Sequence, residues 1–283
     1  MIDRIGCTMC HGVYPDDKPP STMPGHTWLT RSVFERKMKL MAEAGVVSMS
    51  YDELEAWRAG GPLGDKRVLI DFDHAVRTIW ANAQPIFEEY GFAGNLFINT
   101  DTIEAESANP PQDDDEREYM IWDQVGRLVE KGWQIGSHTV NHPSLAELEA
   151  KDPTGGLILE ELAGADETIK RRLGITAKDL AYTGLGWSGL AEEIAKQRYR
   201  FARLWITGRM YLDPAGNEVS VSSLMGVDGP DEADGGPPFE SRYITEQTNF
   251  YRIPSMELEY LLSSDEAFEH YLGGLSVQGK SGL

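Results

Sequence analysis

The chain has 283 residues, of which 41% are hydrophobic and 25% are charged. This length and apolar content are sufficient for a large core, so we expect residues 1–283 to form a single domain. The formal net charge of −20 argues against nucleic acids and anionic membranes as partners, because binding of phosphate groups needs an excess of Lys and Arg.

The sequence contains no membrane-spanning or secretory pattern. No apolar run reaches the roughly 18 residues of a membrane-spanning helix, and the first residues lack the apolar core of a signal peptide. We therefore expect a cytoplasmic protein as the chain stands, and an extracytoplasmic one if a leader has been removed. The sequence leaves the oligomeric state open.

Strand-like and helix-like segments alternate along the chain, which predicts an α/β fold with a parallel sheet covered by helices. Strands are expected over residues 5–10, 46–49, 67–72, 95–99, 134–136, 180–183 and 201–206, and helices over 32–44, 78–90, 122–131, 157–173 and 190–197. Ser50 and Glu53 form a capping-box pattern that predicts a further short helix. The polar segment 101–118 indicates a long loop, and 258–272 indicates a terminal helix or helix pair.

Cys7 and Cys10 are the only cysteines, and with His11 they match the C-x-x-C-H pattern of haem attachment. The residues around them also have the composition of a buried strand, in which both thiols act as small apolar side chains. We favour the strand and interpret the haem pattern as accidental.

The most informative motif contains His138 and His142, which are four residues apart, the spacing that brings two imidazoles together on a helical turn. About sixty residues upstream, an apolar strand ends in Asp71, Asp73 and His74. These residues supply a carboxylate base and further ligands, which a hydrolytic metal site needs. The two segments together predict a metal-dependent hydrolase.

These motifs resemble those of the polysaccharide deacetylases, the family with the NodB homology domain, also called carbohydrate esterase family 4. Segment 68–75 is similar to the family's apolar strand followed by Thr-Phe-Asp-Asp-Gly, and segment 136–143 to its second motif, His-Ser/Thr-x-x-His. The resemblance spans roughly residues 6–260. It implies a distorted (β/α) barrel that hydrolyses the N-acetyl group of an amino sugar or polysaccharide at a divalent metal.

Carried over to this chain, the resemblance makes Asp73 the general base and His74, His138 and His142 the metal ligands. The family has an Asp at the position of His74, so the ligand set here becomes three histidines. Neutral imidazoles suit zinc, which we expect as the metal. A second register stays open, because Asp71 and Asp73 share one face of the strand: Asp71 is then the base, Asp73 a ligand, and His74 lies outside the ligand shell.

The remaining family features are less complete in this chain. The segment corresponding to the family's oxyanion turn lacks its proline, and Gly184 and Leu185 are the candidate backbone donors. Trp187 is a candidate for stacking on a sugar ring or for the core, and His11 is a candidate substrate contact. The family's general acid, a His in a Leu-x-His motif, has no counterpart that we find; His270 lies in a helix-like segment where a surface position is expected.

The main hypothesis is therefore a metal-dependent deacetylase acting on a carbohydrate or a small amide. Two alternatives stay open, because the first motif departs from the family and the acid is missing. One is a catalytically silent relative that binds carbohydrate, and the other is an amidase of a small non-sugar substrate.

Overall fold

The structure is a computed structural model that describes residues 3–18, 28–110 and 117–276. Its strands are β1 Gly6–Cys10, β2 Gly12–Tyr14, β3 Trp28–Thr30, β4 Val46–Met49, β5 Lys66–Asp73, β6 Asn95–Ile98, β7 Gln134–Ser137, β8 Asp179–Ala181, β9 Phe201–Ile206, β10 Tyr211–Leu212, β11 Glu218–Val219 and β12 Ile253–Glu257. Its α-helices are α1 Arg31–Glu43, α2 Tyr51–Arg58, α3 Gln84–Tyr90, α4 Thr100–Ala108, α5 Trp122–Glu130, α6 Leu145–Lys151, α7 Gly156–Leu173, α8 Gly189–Arg198, α9 Val221–Met225 and α10 Asp265–Gly274.

In the described part of the chain, seven parallel strands form a closed ring in the order β1-β12-β9-β8-β7-β6-β5 and back to β1. Strand β4 pairs in parallel with the first half of β5, and β6 pairs with its second half. The pairing between β7 and β8 is short, with Ser137 and Leu180 as its registered pair. This architecture confirms the predicted distorted (β/α) barrel.

The barrel interior changes from apolar to charged along the strand direction. Six strands each contribute one residue to a buried apolar cluster inside the barrel: Cys7, Leu69, Phe97, Ala181, Phe201 and Ile253. Because side chains alternate between the two faces of a strand, the next inward positions on β5 are Asp71 and Asp73. A second buried cluster fills the space between the strands and the surrounding helices.

Most predicted elements occur within a residue or two of the expected bounds. The capping box is present, since Ser50 accepts a hydrogen bond from the Glu53 N–H at 3.2 Å and Glu53 accepts one from the Ser50 N–H at 2.8 Å. The predicted helix over 78–90 consists of a π-helical segment, Ile79–Ala83, followed by α3 with Pro85 in its first turn. Both cysteines are buried in β1 as free thiols, in agreement with the strand interpretation.

Two predictions of secondary structure were wrong. The segment 101–118 is not a loop throughout, because helix α4 occupies Thr100–Ala108. Its first amides are paired through tertiary contacts, from Thr100 N–H to Thr139 O at 3.3 Å and from Asp101 N–H to Val140 O at 3.1 Å. The predicted helix over 258–272 forms only as α10, which begins at Asp265. Among the described residues, no helix combines the length and the apolar character needed to cross a membrane.

Candidate metal centre

Three histidines predicted as metal ligands meet at the carboxyl-terminal end of the barrel. His74 directly follows β5, and His138 and His142 lie in the turn after β7. One ring nitrogen from each lies within 4.8 Å of the others, a spacing that one metal ion can bridge. His74 and His138 are buried, whereas His142 is partly exposed.

The backbone around these histidines is strained. Among the described residues, the non-glycine residues with positive φ are His74 (70°), Ala75 (57°), Thr139 (68°) and His142 (56°), and all lie in the two histidine segments. Left-handed conformations of non-glycine residues cost on the order of 1 kcal/mol or more and persist only where surrounding contacts enforce them. This concentration of strain is typical of a functional site.

Helix α7 holds the turn that carries two of the histidines. The Glu161 carboxylate accepts hydrogen bonds from the N–H of Val140 at 3.0 Å, the N–H of Asn141 at 2.9 Å and the side-chain amide of Asn141 at 2.8 Å. The N–H of His142 donates to the Thr139 hydroxyl at 3.0 Å. The side chains of Glu161 and Thr139 therefore hold the turn in which the strained residues Thr139 and His142 lie.

His138 is oriented by a backbone carbonyl. Its Nδ1 lies 2.9 Å from the carbonyl oxygen of Ala181, which can only accept a hydrogen bond. Nδ1 therefore carries the proton in this contact, and Nε2 is the nitrogen that can offer a lone pair to a metal. Such a carbonyl partner is the usual means of fixing the tautomer and ring orientation of a histidine ligand.

Asp73 is buried beside the histidines and forms an ion pair with Arg203. Its Oδ1 accepts from Arg203 Nη2, and its Oδ2 lies 3.8 Å from His138 Nε2 and 4.0 Å from His11 Nε2. Burial by itself raises the pKa of this carboxyl, but Arg203, His138 and His11 outweigh it and lower the pKa to about 2. Asp73 is therefore an ionised carboxylate at neutral pH.

Asp71 lies one layer deeper and is enclosed by donors. It accepts hydrogen bonds from the Tyr51 hydroxyl at 2.7 Å and the Asn95 side-chain amide at 3.1 Å, and its Oδ2 is 3.1 Å from Arg203 Nε. Burial is the largest influence on its pKa, which rises to about 6 despite these partners. Asp71 is not part of the group of three histidines, and its contacts are those of a support for Arg203.

His11 belongs to the same cluster but is only 3% exposed. Its ring stacks on that of His74 at a centroid distance of 5.0 Å and meets the edge of the Trp205 ring at 5.0 Å. The predicted substrate contact therefore lies in the wall of the site, between a candidate ligand and an indole. His270, in contrast, is exposed on α10 and stacks on Phe239 at 4.3 Å, as its predicted surface position requires.

The loop after β8 carries the three other predicted site residues. Gly184 adopts positive φ, 60°, and the N–H groups of Gly184 and Leu185 have no hydrogen-bond acceptor within the described residues. Trp187 is half-buried and packs against the guanidinium of Arg252, which lies 4.9 Å from its ring centroid. The Thr183 hydroxyl donates to the carbonyl of Pro143, which connects this loop to the histidine turn.

Gly186 allows the loop after β8 to approach the segment that follows β7 closely. A Cβ atom at this position would collide with the hydroxyl of Ser144, the N-cap residue of α6. The loop of Gly184 and Leu185 is thus held next to the turn of His138 and His142.

The sequence interpretation missed Arg203 and Tyr51. Both contact the buried aspartates, and Arg203 also lies over the ring of Phe97 at 4.8 Å. A signal for Arg203 was present, because a lone arginine occurs between apolar residues in the strand predicted over 201–206. A fully buried arginine requires carboxylate partners, and Asp71 and Asp73 are the inward-facing acids of β5, on the opposite side of the barrel.

Comparison with known proteins agrees with this geometry. A sequence-family model described as polysaccharide deacetylase matches residues 60–200, the span that contains β5 and the histidine turn. A comparison with curated protein sequences gave no match.

Several solved structures share the fold. A deacetylase from Streptococcus pyogenes, solved with acetate, is 18% identical with a TM-score of 0.61, over 76% of this chain and 88% of the other. A de-N-acetylase from Aggregatibacter actinomycetemcomitans is 17% identical with a TM-score of 0.62, over 72% of this chain and 88% of the other. A polysaccharide deacetylase from Bacillus cereus is 15% identical with a TM-score of 0.65, over 96% of this chain and 69% of the other. At these identities the likeness establishes a common fold.

Proposed function

Since the chain belongs to the polysaccharide deacetylase family, we propose that it is a metal-dependent hydrolase that removes N-acetyl groups from an amino sugar or polysaccharide. The observation that carries this proposal is the meeting of His74, His138 and His142 next to the ionised carboxylate of Asp73. A base beside a set of neutral nitrogen donors is an arrangement suited to metal-assisted hydrolysis of an amide.

The donor set fits a divalent ion, and zinc in particular. Three imidazoles leave a fourth position of a tetrahedral site open, and the Ala181 carbonyl selects the His138 tautomer that can bind metal. When bound, the ion supplies Lewis-acid chemistry: it polarises the acetyl carbonyl and makes water more acidic. His74, His138 and His142 are the residues that would hold it.

Asp73 acts as the general base in this proposal. Its pKa of about 2 keeps it ionised, and Arg203 holds one of its oxygens so that the other, Oδ2, is directed toward the histidines. Oδ2 accepts a proton from the attacking water. Asp71 lies one layer deeper in the barrel, where it contacts Arg203. We therefore favour Asp73 over Asp71 as the base.

The loop after β8 supplies the remaining polar groups. The N–H groups of Gly184 and Leu185 are suited to stabilise the negative charge that develops on the acetyl oxygen. The buried ring of His11, packed between Trp205 and His74, shields one side of His74 from water. The net charge of −20 favours a neutral or cationic glycan over a polyanionic one.

Release of acetate from N-acetylglucosamine oligomers, measured with zinc present, tests the proposal. Asp73→Asn should lower kcat/KM by at least about 10³-fold, because the base is lost while its shape is retained. Asp123→Asn, which removes an exposed carboxylate on α5, should leave kcat/KM within about twofold. A zinc-loaded wild type without turnover on N-acetylated sugars or on small amides would contradict the proposal and favour the silent carbohydrate-binding relative.

A further inference from the structure

The loops after β9 and β12 form the rim of the barrel mouth that lies across from β6. Both strands run parallel to β5 and β7, so the residues that follow them lie at the same end of the barrel as the three histidines. In the ring order, β12 and β9 are opposite β6, and the histidines follow the two strands that flank β6. This rim therefore faces the candidate metal centre across the mouth.

Tyr260, in the turn after β12, is an exposed aromatic residue on this rim. Its exposed fraction is 43%, although large aromatic side chains are usually buried. Among the described residues, six large apolar side chains are exposed, and half of them belong to this rim: Met210, Leu212 and Tyr260. Their concentration beside the site indicates a binding surface.

Arg209, in the loop after β9, accompanies the Tyr260 ring. Its Nη2 donates to the Tyr260 hydroxyl at 3.2 Å, and its guanidinium carbon lies 5.4 Å from the ring centroid. Arg209 is exposed, and within residues 3–18, 28–110 and 117–276 it has no carboxylate partner. Its other N–H groups are therefore available to a ligand. We call these two side chains the Tyr260 platform.

Buried contacts fix the turn that carries the Tyr260 platform. The ammonium group of Lys37, a fully buried residue of α1, donates to the carbonyls of Leu262 at 2.6 Å and Ser263 at 3.2 Å. The Ser263 hydroxyl in turn donates to the carbonyl of Tyr260 at 2.8 Å. A ring held in this way loses little conformational freedom when a ligand packs on it, which favours binding.

The loop after β9 connects the Tyr260 platform to the candidate oxyanion donors. The N–H of Leu212 donates to the carbonyl of Leu185 at 2.8 Å, so this loop contacts the loop after β8 directly. Met210 and Leu212 are 51% and 48% exposed on one face of β10, whereas Tyr211 between them is buried. Exposed side chains thus follow one another along the rim from the loop after β8 to the platform.

We propose that Tyr260 and Arg209 form a subsite for a sugar residue next to the one that loses its acetyl group, so that the substrate is an oligomer and not a single amino sugar. This inference rests on the proposed function. The apolar face of the neighbouring sugar packs on the Tyr260 ring, and the guanidinium donates to its hydroxyl or acetamido oxygens. The sugar is uncharged, because a chain with 46 acidic and 26 basic residues disfavours a polyanion.

The dependence of turnover on chain length tests the subsite. For the zinc-loaded wild type, we expect kcat/KM for acetate release to be at least about tenfold higher with the N-acetylglucosamine tetramer than with the monomer. Tyr260→Ala should remove most of this preference through a higher KM, and should change kcat and the monomer value by less than about twofold.

Two further variants separate the ring from its surroundings. Tyr260→Phe keeps the ring, so its kcat/KM for the tetramer should stay within about threefold of the wild type. Leu159→Ala removes an apolar side chain of α7 with nearly the same exposed fraction, 44%. It is the matched control and should change kcat/KM for either substrate by less than about twofold.

Binding measured without turnover separates the subsite from the proposed function. In zinc-loaded Asp73→Asn, titration calorimetry should show that adding Tyr260→Ala weakens tetramer binding by about tenfold, and that adding Arg209→Ala also weakens it. A wild type without preference for the tetramer, equal losses on tetramer and monomer, or a tetramer Kd unchanged by Tyr260→Ala would overturn the subsite and leave the proposed function standing. A wild type that binds the tetramer through Tyr260 but releases no acetate would support the subsite and contradict the proposed hydrolase.

Discussion

Two arginines three residues apart in the chain hold buried aspartates at opposite levels of the barrel. Arg200, just before β9, binds Asp179 at the amino-terminal end through contacts of 3.0 and 2.9 Å. Arg203, within β9, lies between Asp71 and Asp73 below the candidate metal centre. The Arg200 side chain is 12% exposed and that of Arg203 is fully buried.

Pairing with an arginine is accompanied by a raised pKa for the aspartate at the amino-terminal end of the barrel and a lowered pKa for Asp73 at the carboxyl-terminal end. Burial raises the pKa of Asp179 to about 6 despite Arg200, and the nearby carboxylates of Asp52 and Glu55 add to the rise. At the upper level, Arg203 and two histidines together overcome burial and lower the pKa of Asp73 to about 2. With a single arginine as partner the pKa of the buried aspartate still rises above its ordinary value, whereas the larger set of positive groups around Asp73 lowers its pKa below that value.

The largest expected effect comes from removing the upper arginine. Arg203→Met leaves Asp71 and Asp73 buried without their counter-charge, so the free energy of unfolding should fall by about 3–5 kcal/mol and acetate release should be lost. Arg200→Met should reduce the free energy of unfolding by less, because Arg200 is itself partly exposed and two of its three carboxylate partners, Asp52 and Glu55, reach the solvent. It should keep kcat/KM within about twofold. Urea denaturation and acetate release measure both effects; equal losses of turnover in the two variants would contradict the distinction.

The pH dependence of the free energy of unfolding tests the assignment for Asp179, at the amino-terminal end of the barrel. Asp179 has a pKa of about 6 when folded against an ordinary value of 3.8. Between these pH values the unfolded chain gives up this proton and the folded chain keeps it, so this group makes the fold less stable as pH rises from about 4 to about 6. Asp179→Asn lacks this contribution. Its free energy of unfolding relative to wild type should therefore rise by roughly 2–3 kcal/mol over that range, and a constant difference would contradict the assignment.

A smaller effect, on zinc affinity, is expected from replacing Glu161, the residue whose hydrogen bonds hold the turn of His138 and His142 (the Glu161 clamp). Glu161→Gln removes the charge and one of the two acceptor oxygens that hold Val140 and Asn141, so zinc affinity should weaken by about tenfold. Glu160→Gln, an exposed neighbour on α7, is the control and should bind zinc as the wild type does. Competition with a zinc chelator measures both affinities; equal affinities in the two variants would show that the clamp has no part in the metal site.

The smallest effect concerns Trp187. Because its ring packs on Arg252, Trp187→Phe should change KM for N-acetylglucosamine oligomers by less than about threefold. Steady-state kinetics give this value. A rise in KM of more than about tenfold would contradict this expectation and favour Trp187 as a sugar-stacking residue.

The features that the sequence predicts are those encoded locally. The four-residue spacing of His138 and His142 and the alternation of Asp71 and Asp73 on β5 are visible in a short window, and the structure brings these residues to one end of the barrel. The barrel itself follows from the alternation of strands and helices.

The features that the sequence did not reveal depend on contacts distant in the chain. Helix α4 has its first amides paired by carbonyls about forty residues away, at Thr139 and Val140, so its polar composition alone indicated a loop. Arg203 is 130 positions from Asp73.

Metal content tests the central claim most directly. Purified wild-type protein and His270→Ala, which alters an exposed histidine, should each hold about one zinc ion per chain, measured by atomic emission after dialysis against the metal. His138→Ala should hold none above background, because it loses the ligand oriented by Ala181. A wild type that cannot be loaded, or a His138→Ala variant that binds as much zinc as the wild type, would contradict the account.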